Sequence, residues 1–249
     1  MPRLALATLL CTLACEAAAA PLQLAGTDWC PYLCPDNAQY PGYLLEALAE
    51  VLPEAPHFQA MPWSRALQMA RDGQIDGVIG AYAEESDGLL IGHEPIGWVS
   101  MHFYTRADSH WRYTGPASLE HLRVGLVQGY SYGPKLDAWR DAHLGDHQRV
   151  QILSGEQVLQ RNLQKLLRGR IDVLLEDHRM VAYQLRQRGL RLQVRDAGQL
   201  PQRRPMYVAL SPQAKDAGER LRTLDANLKR LREQDGWLPL ARRYGLEPD

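Results

Sequence analysis

The sequence predicts an α/β protein built from two similar lobes. Three observations carry this reading: strand-like and helix-like segments alternate along the chain, one segment is echoed in the second half, and charge is divided between the halves.

Alternating strands and helices build α/β units with mostly parallel sheets. Leu22–Thr27 reads as a strand. Gly42–Leu52 (GYLLEALAEVL) has apolar residues at helical spacing and stops before Pro53. Pro62–Arg71 reads as a second helix, Ile75–Ala81 as a buried strand and Val99–Thr105 as another. After Pro116 the pattern restarts, with a strand in RVGLVQG (123–129), a helix through Trp139 and a strand in VQILS (150–154). A helix from Glu156 to Leu167, a strand in IDVLLE (171–176) and a helix through Gln187 follow.

The echo lies between Leu67–Asp76, LQMARDGQID, and Leu163–Asp172, LQKLLRGRID. Leu, Gln, Gly, Ile and Asp match. Each copy reads as a helix closed by Gly, suited to a left-handed cap, followed by a strand opening Ile-Asp. Residues 21–100 hold 11 acids and 2 bases, whereas residues 161–204 hold 11 bases and 4 acids. Opposed halves can polarise a cleft between them, although most of these charges read as solvated helix faces.

The composition, 45% hydrophobic and 23% charged over 249 residues, excludes wholesale disorder and fits one or two domains. A net charge of -1 gives no protein-wide basic field for nucleic acid. Residues 1–20 run from Arg3 through an apolar stretch to small residues at Ala17–Ala20, the order of a secretory signal peptide. Pro21 favours cleavage after Ala19 over Ala20, and Thr12 disfavours lipidation of Cys15. Export leaves Cys30 and Cys34, in TDWCPYLCPD, as neighbouring thiols in an oxidising compartment, most simply a disulfide. A redox pair would want C-x-x-C, and a metal would need more ligands. His143 and His147 in HLGDH are separated by Gly145 and read as a surface loop. No metal or cofactor is expected.

Several segments, in order, resemble one family: LAGTDWCPY, PGYLLEALAEVL, MPWSRALQMARDGQIDGVIG, HEPIG, RVGLVQGYSYG, LLRGRIDVLLEDHRMVAYQL and DGWLPLARRYGL. Together they resemble the family 3 extracellular solute-binding proteins, the periplasmic partners of ABC importers. The nearest match is to a branch with W-C-P-Y, P-W-x-R-A-L and Y-S-Y-G. The resemblance implies a type II two-lobe clamshell in the periplasm, a small solute, an ABC permease as partner and a monomer. It implies chain crossings near Thr105–Ser109 and Pro205–Val208, so that lobe 1 holds 21–106 with 208–249 and lobe 2 holds 107–207. The solute would sit outside the carboxyl ends of the strands, trapped by hinge closure.

Trp29 after the first strand is placed to stack on a ligand. Tyr32 either does the same or packs on the cysteine staple, and Asp28 either takes an ammonium or caps a turn. Arg65, beside Trp63, either offers a planar fork to a carboxylate or pairs a neighbouring acid and stacks on Trp63. Tyr82 follows a buried strand and could line the cleft. In amino-acid-binding relatives the loop here written AYAEESDG resembles T-x-E-R, whose Arg holds the α-carboxylate. That position is Ser86, which puts a standard amino acid in doubt and leaves Arg65 as a substitute. The turn in GLVQGYSYG offers backbone N–H groups and the Ser131 hydroxyl to an anion, with Tyr130 or Tyr132 as a wall. The resemblance assigns Asp177 to the solute's amino group, with capping of the following helix as the alternative. Strand alternation sends Glu176 to the other face. An anion site and Asp177 together would suit a zwitterion or an aminated solute.

Binding, not catalysis, is the leading reading. The alternatives are an enzyme like the cyclohexadienyl dehydratases on this fold, with Glu94, Asp177 and Glu176 as candidate acids, and a ligand-sensing accessory protein.

Overall fold

The computed structural model describes residues 20–244. The export signal read at 1–20, with Cys11 and Cys15, lies outside the described residues but for Ala20. The first half of the chain runs through β1 (Gln23–Gly26), α1 (Tyr43–Val51), β2 (His57–Ala60), α2 (Trp63–Arg71), β3 (Gly77–Ala81), β4 (Leu90–Ile91), β5 (Gly97–Val99) and β6 (Met101–Arg106). It continues through β7 (Val124–Val127), α3 (Pro134–Ala142), β8 (Val150–Leu153), α4 (Val158–Leu167), β9 (Val173–Asp177), α5 (His178–Gln187), β10 (Val194–Gln199), β11 (Arg204–Leu210), α6 (Ala217–Glu233) and α7 (Trp237–Arg243).

Two sheets form. The first has the order β2-β1-β3-β11-β4, with β5 also on β11, and the second has β10-β6-β9-β7-β8. In the first, β1 is parallel to β2 and β3, and β11 runs antiparallel to β3. In the second, β7 is parallel to β8 and β9, and β6 runs antiparallel to β9. Each lobe is therefore a parallel trio closed by an antiparallel strand, a mixed rather than a mostly parallel sheet. Strands β3, β7 and β9 are buried along their whole length, as parallel strands covered on both faces must be. Helix α1 shows how the covering works: Tyr43, Leu44, Ala47, Leu48 and Val51 recur at helical spacing and all are buried.

The alternation of segments predicts Val99–Thr105 as one strand of the first lobe. The chain instead leaves the first sheet at Val99 and enters the second at Met101. At Ser100 the N–H donates to the Asp177 carboxylate at 3.2 Å, and the carbonyl accepts from the His178 N–H at 2.9 Å. Those bonds tie the strand to β9 instead of β11. The outward crossing falls at Ser100, not near Thr105–Ser109. The return falls between Gln199 and Arg204, ahead of the expected Pro205–Val208.

The echoed segments form the same turn twice. Gly73 and Gly169 sit at φ of 69° and 65°, the left-handed region that Gly enters without strain. The Asp76 carboxylate accepts from the Gln23 N–H at 2.8 Å, and the Asp172 carboxylate accepts from the Arg123 N–H at 2.9 Å. Each matching Asp thus ties the start of β3 or β9 to the start of the neighbouring parallel strand. Among the described residues no helix is long and apolar enough to cross a membrane.

Candidate functional site

Residues just beyond the carboxyl ends of β1, β2, β7, β8 and β9 line one cavity of about 380 Å³. The first lobe gives Thr27, Asp28 and the stretch Gln59–Arg65, which runs into the first turn of α2. The second gives Val127, Gln128, Tyr130, Ser154–Gln160, Glu176, and Met180 and Gln184 from α5. Beside it lies a void of about 20 Å³ lined by Trp29, Tyr82 and Glu85, sharing Thr27, Trp63 and Tyr130 with the larger cavity. Tyr130 and Thr27, from opposite lobes, meet at this void. Gly129 (φ 79°) lets its turn come against the α2 start, where a Cβ would meet the Ser64 hydroxyl at 2.8 Å.

Trp29, Trp63, Tyr82 and Tyr130 are thus brought together, around the void between the lobes. Trp29 lies 4.7 Å from the Tyr32 ring and covers Gly80, where a Cβ would come within 3.1 Å of the indole. Tyr32 is fully buried between Trp29 and Tyr43, so it packs rather than lining the cavity. Cys30 and Cys34 are joined as a disulfide under this loop. Arg65 is exposed at the cavity rim, without an ion pair among the described residues.

The two acids that end β9 have exchanged the places expected of them. Asp177 does not line the cavity. Its carboxylate accepts from the Met180 N–H at 3.0 Å, capping α5, and from Ser100. Glu176 lines the cavity although it is only 2% exposed. Its carboxylate accepts from the Asp177 N–H at 2.9 Å. Burial, and then the Asp177 charge, push its carboxyl up to about 8, and no cation among the described residues pulls it back. Asp28 is raised in the same direction, first by burial and then by Asp36. Four acids line the cavity, Asp28, Asp36, Glu156 and Glu176, against one base, Arg65.

The anion site expected in the β7–α3 turn is full. The Ser131 N–H donates to the Glu85 carboxylate at 2.8 Å. The Ser131 hydroxyl donates to Asp137 at 2.7 Å, and the Tyr132 N–H donates to the same carboxylate at 2.9 Å. The Tyr132 hydroxyl is held by the Val127 N–H at 2.8 Å, which makes it a brace. Arg204 lies 3.7 Å over the Tyr82 ring and donates to the Ser131 carbonyl and to Glu84. Burial lifts the Glu85 carboxyl to about 7, opposed by Ser131, Arg204, the Tyr82 backbone and the Trp63 side chain. Ser86, where the resemblance puts an Arg, is buried and donates its hydroxyl to the Tyr82 carbonyl at 2.8 Å.

The candidate catalytic acids are not assembled. Glu94 is paired with Arg232 at 2.7 Å, and Asp177 caps a helix. A separate chain runs from Ser100 to His102 Nε2 at 3.0 Å and from His102 Nδ1 to Asp196 at 2.6 Å, with His178 alongside. Its order is that of a nucleophile, base and orienting acid, but the Ser100 N–H is given to Asp177. His102 Nδ1 and Asp196 also stand closer than the roughly 3.3 Å between two ligands of one tetrahedral zinc.

Sequence reading missed Glu85, Arg204 and the cavity-facing role of Glu176. Glu85 stands next to Ser86, and nothing in AYAEESDG sets it apart from the acids on either side. Arg204 could be placed only by knowing that β11 belongs to the first sheet.

No family model matches the chain, and no curated protein does. Solved structures do. An ancestral arginine-binding protein bound to glutamine superposes with a TM-score of 0.72 at 16% identity, over 91% of this chain and 98% of that one. A structure bearing on glutathione import in Gram-positive bacteria via GshT and the cystine ABC importer TcyBC of Streptococcus mutans gives 0.75 at 16% identity over 92% and 97%. A histidine kinase sensor domain with similarity to periplasmic binding proteins gives 0.73 at 20% identity over 93% and 99%. The fold is therefore the two-lobe architecture of the periplasmic binding proteins. Within that class the likeness rests on structure, shared by transport and sensor proteins alike.

Proposed function

We propose that this protein is an exported solute-binding protein that traps a small amine-bearing cation between its lobes and delivers it to an ABC-type permease. The observation that carries the reading is Glu176, a buried carboxylate facing the cavity with no cation among the described residues to compensate it. An unpaired buried charge is costly, so the ligand-free carboxyl is held protonated near neutral pH, and a bound ammonium or guanidinium group lets it ionise. Asp28 supplies a second acid on the opposite lobe, while Trp63 and Tyr130 give aromatic faces to the solute's apolar or cationic part. Contributions from both lobes make binding favour the closed form, the property a capture protein needs.

The test is a thermal-shift screen of mature protein, unfolded and refolded to strip carried-over solute, against amines, amino acids, short peptides and carboxylates. Amine-bearing cations should raise the melting temperature by several degrees at about 100 times their Kd, and Glu176→Gln should abolish the shift. A panel in which anionic carboxylates stabilise and amines do not would overturn the reading.

A further inference from the structure

We propose that Glu85 is a built-in substitute for a solute carboxylate, so that the cavity selects amines lacking a carboxylate at the end nearest the β7–α3 turn. This rests on the binding reading above and narrows it.

Three observations converge. The donors of the turn are committed within the chain: the Ser131 N–H to Glu85, the Tyr132 N–H and Ser131 hydroxyl to Asp137. Two guanidinium groups reach this turn and both are committed: Arg204 to Glu84, the Ser131 carbonyl and the Tyr82 ring, and Arg140 to the Tyr130 carbonyl, Asp137 and Asp141. Glu85 belongs to the first lobe and Ser131 to the second, so its carboxylate lies at the lobe junction. It borders the small void that shares Thr27, Trp63 and Tyr130 with the large cavity. A carboxylate on the solute would have to displace Glu85 or sit unpaired beside it. Both are unfavourable, since like charges repel and an orphaned buried anion loses its hydrogen bonds. An amine without that group meets Glu176 and Asp28 and leaves Glu85 in place.

The test uses refolded mature protein and pairs of probes that differ by one carboxylate: putrescine against ornithine, and agmatine against arginine. Calorimetric titration of wild type should favour the amine of a pair by about tenfold or more, the worth of one charge-assisted hydrogen bond. Glu85→Ala should open the subsite and narrow or reverse that preference. Glu85→Gln, isosteric and able to accept from Ser131, keeps the experiment readable if the alanine variant folds poorly, and should narrow the preference less.

A second readout needs no solute. Acetate should raise the melting temperature of Glu85→Ala saturably, relative to chloride at equal ionic strength, while wild type shows no such response. Acetate acting equally on both proteins, or a wild type that binds ornithine and arginine as tightly as their amines, would overturn the assignment of Glu85. Absence of binding by every probe together with acetate rescue of Glu85→Ala would overturn the choice of solute class but keep Glu85 as the occupant of the subsite.

Discussion

In the first lobe the turn before β3 puts Gly73 in the left-handed region and Asp76 on the Gln23 N–H. In the second, Gly169 and Asp172 do the same with Arg123. The strands that follow share register, Gly77 standing opposite Leu24 and Val173 opposite Val124. Toward the cleft the likeness stops. Gly80 of β3 corresponds to Glu176 of β9: one is covered by the Trp29 indole, the other lines the cavity as a buried acid. After β1 comes an aromatic loop closed by a disulfide, and after β7 an open turn filled by Glu85 and Asp137. The repeated part holds strands in register, whereas the divergent part decides what the cleft accepts.

The largest expected effect separates two adjacent acids. Asp177→Ala removes the α5 cap and leaves the Ser100 N–H without its acceptor. A lost cap and an unsatisfied buried donor should together cost about 2–4 kcal/mol in urea unfolding. Glu176→Gln should leave ligand-free stability near neutral pH almost unchanged, because a carboxyl raised to about 8 is largely protonated there, and should raise it above about pH 8, where wild type must carry a buried charge. The reverse ranking would show that Asp177 serves the solute and Glu176 the fold.

That pair also shows what the sequence could disclose. The apolar run in IDVLLED is legible and correctly gives a buried strand, but which of its two closing acids faces the cavity does not follow from it. Asp177 turns into the N-cap of α5, so the face it would share with its strand neighbours no longer exists. The Gly-Asp echo was legible because a left-handed turn and a short carboxylate bridge are local chemistry. Strands β10 and β11 were not: VRDAGQ lacks apolar alternation, and their places are set by partners far away in sequence. The same distance hid Arg204 and the pairing of Glu85 with Ser131. Aromatic candidates around the cleft were legible because each follows a recognisable strand or opens a helix.

A pH titration sharpens the comparison next. Glu176 and Glu85 have folded-state values raised to about 8 and about 7, above the 4.5 of an ordinary Glu. Between those limits the folded protein holds more protons than the unfolded chain, so the ligand-free protein should lose stability as pH rises from about 4.5 toward 8. Glu85→Gln should roughly halve that slope below about pH 7 and leave it intact between about 7 and 8, whereas Glu176→Gln should roughly halve it below about 7 and remove it between about 7 and 8. Amine binding should run the other way, weakening as the pH falls below about 8, because it needs Glu176 ionised. Stability that is flat across this window in wild type would mean that both carboxyls are solvated.

The echoed aspartates offer a smaller contrast. Asp172 also holds the Arg123 guanidinium at 2.9 and 2.7 Å, whereas Asp76 has no ion pair among the described residues. Asp172→Ala should cost about 1–2 kcal/mol, a figure already reduced for solvent screening, and Asp76→Ala about half of that. The Asp172 carboxyl is lowered, chiefly by its bond to Arg123, so its contribution should vanish as pH falls through the carboxylate range. Equal costs would mean that the backbone bond common to both turns carries the effect.

The smallest change concerns Arg65, the base on an otherwise acidic cavity wall. Its exposure makes Arg65→Ala neutral for folding, within about 0.5 kcal/mol. For binding, the two lobes' charges make opposite demands on it. If Arg65 were the substitute for the missing clamp at Ser86, its loss would weaken binding of a carboxylate-bearing solute by about tenfold or more. If the solute is a cation held by Glu176 and Asp28, Arg65 only repels it across the rim, and removing it should tighten binding by about twofold, with the gain fading as salt rises. Calorimetric titration of Arg65→Ala with agmatine and with arginine at low and high salt therefore tells, from the sign of a small effect, whether Arg65 clamps a carboxylate or only repels a cation.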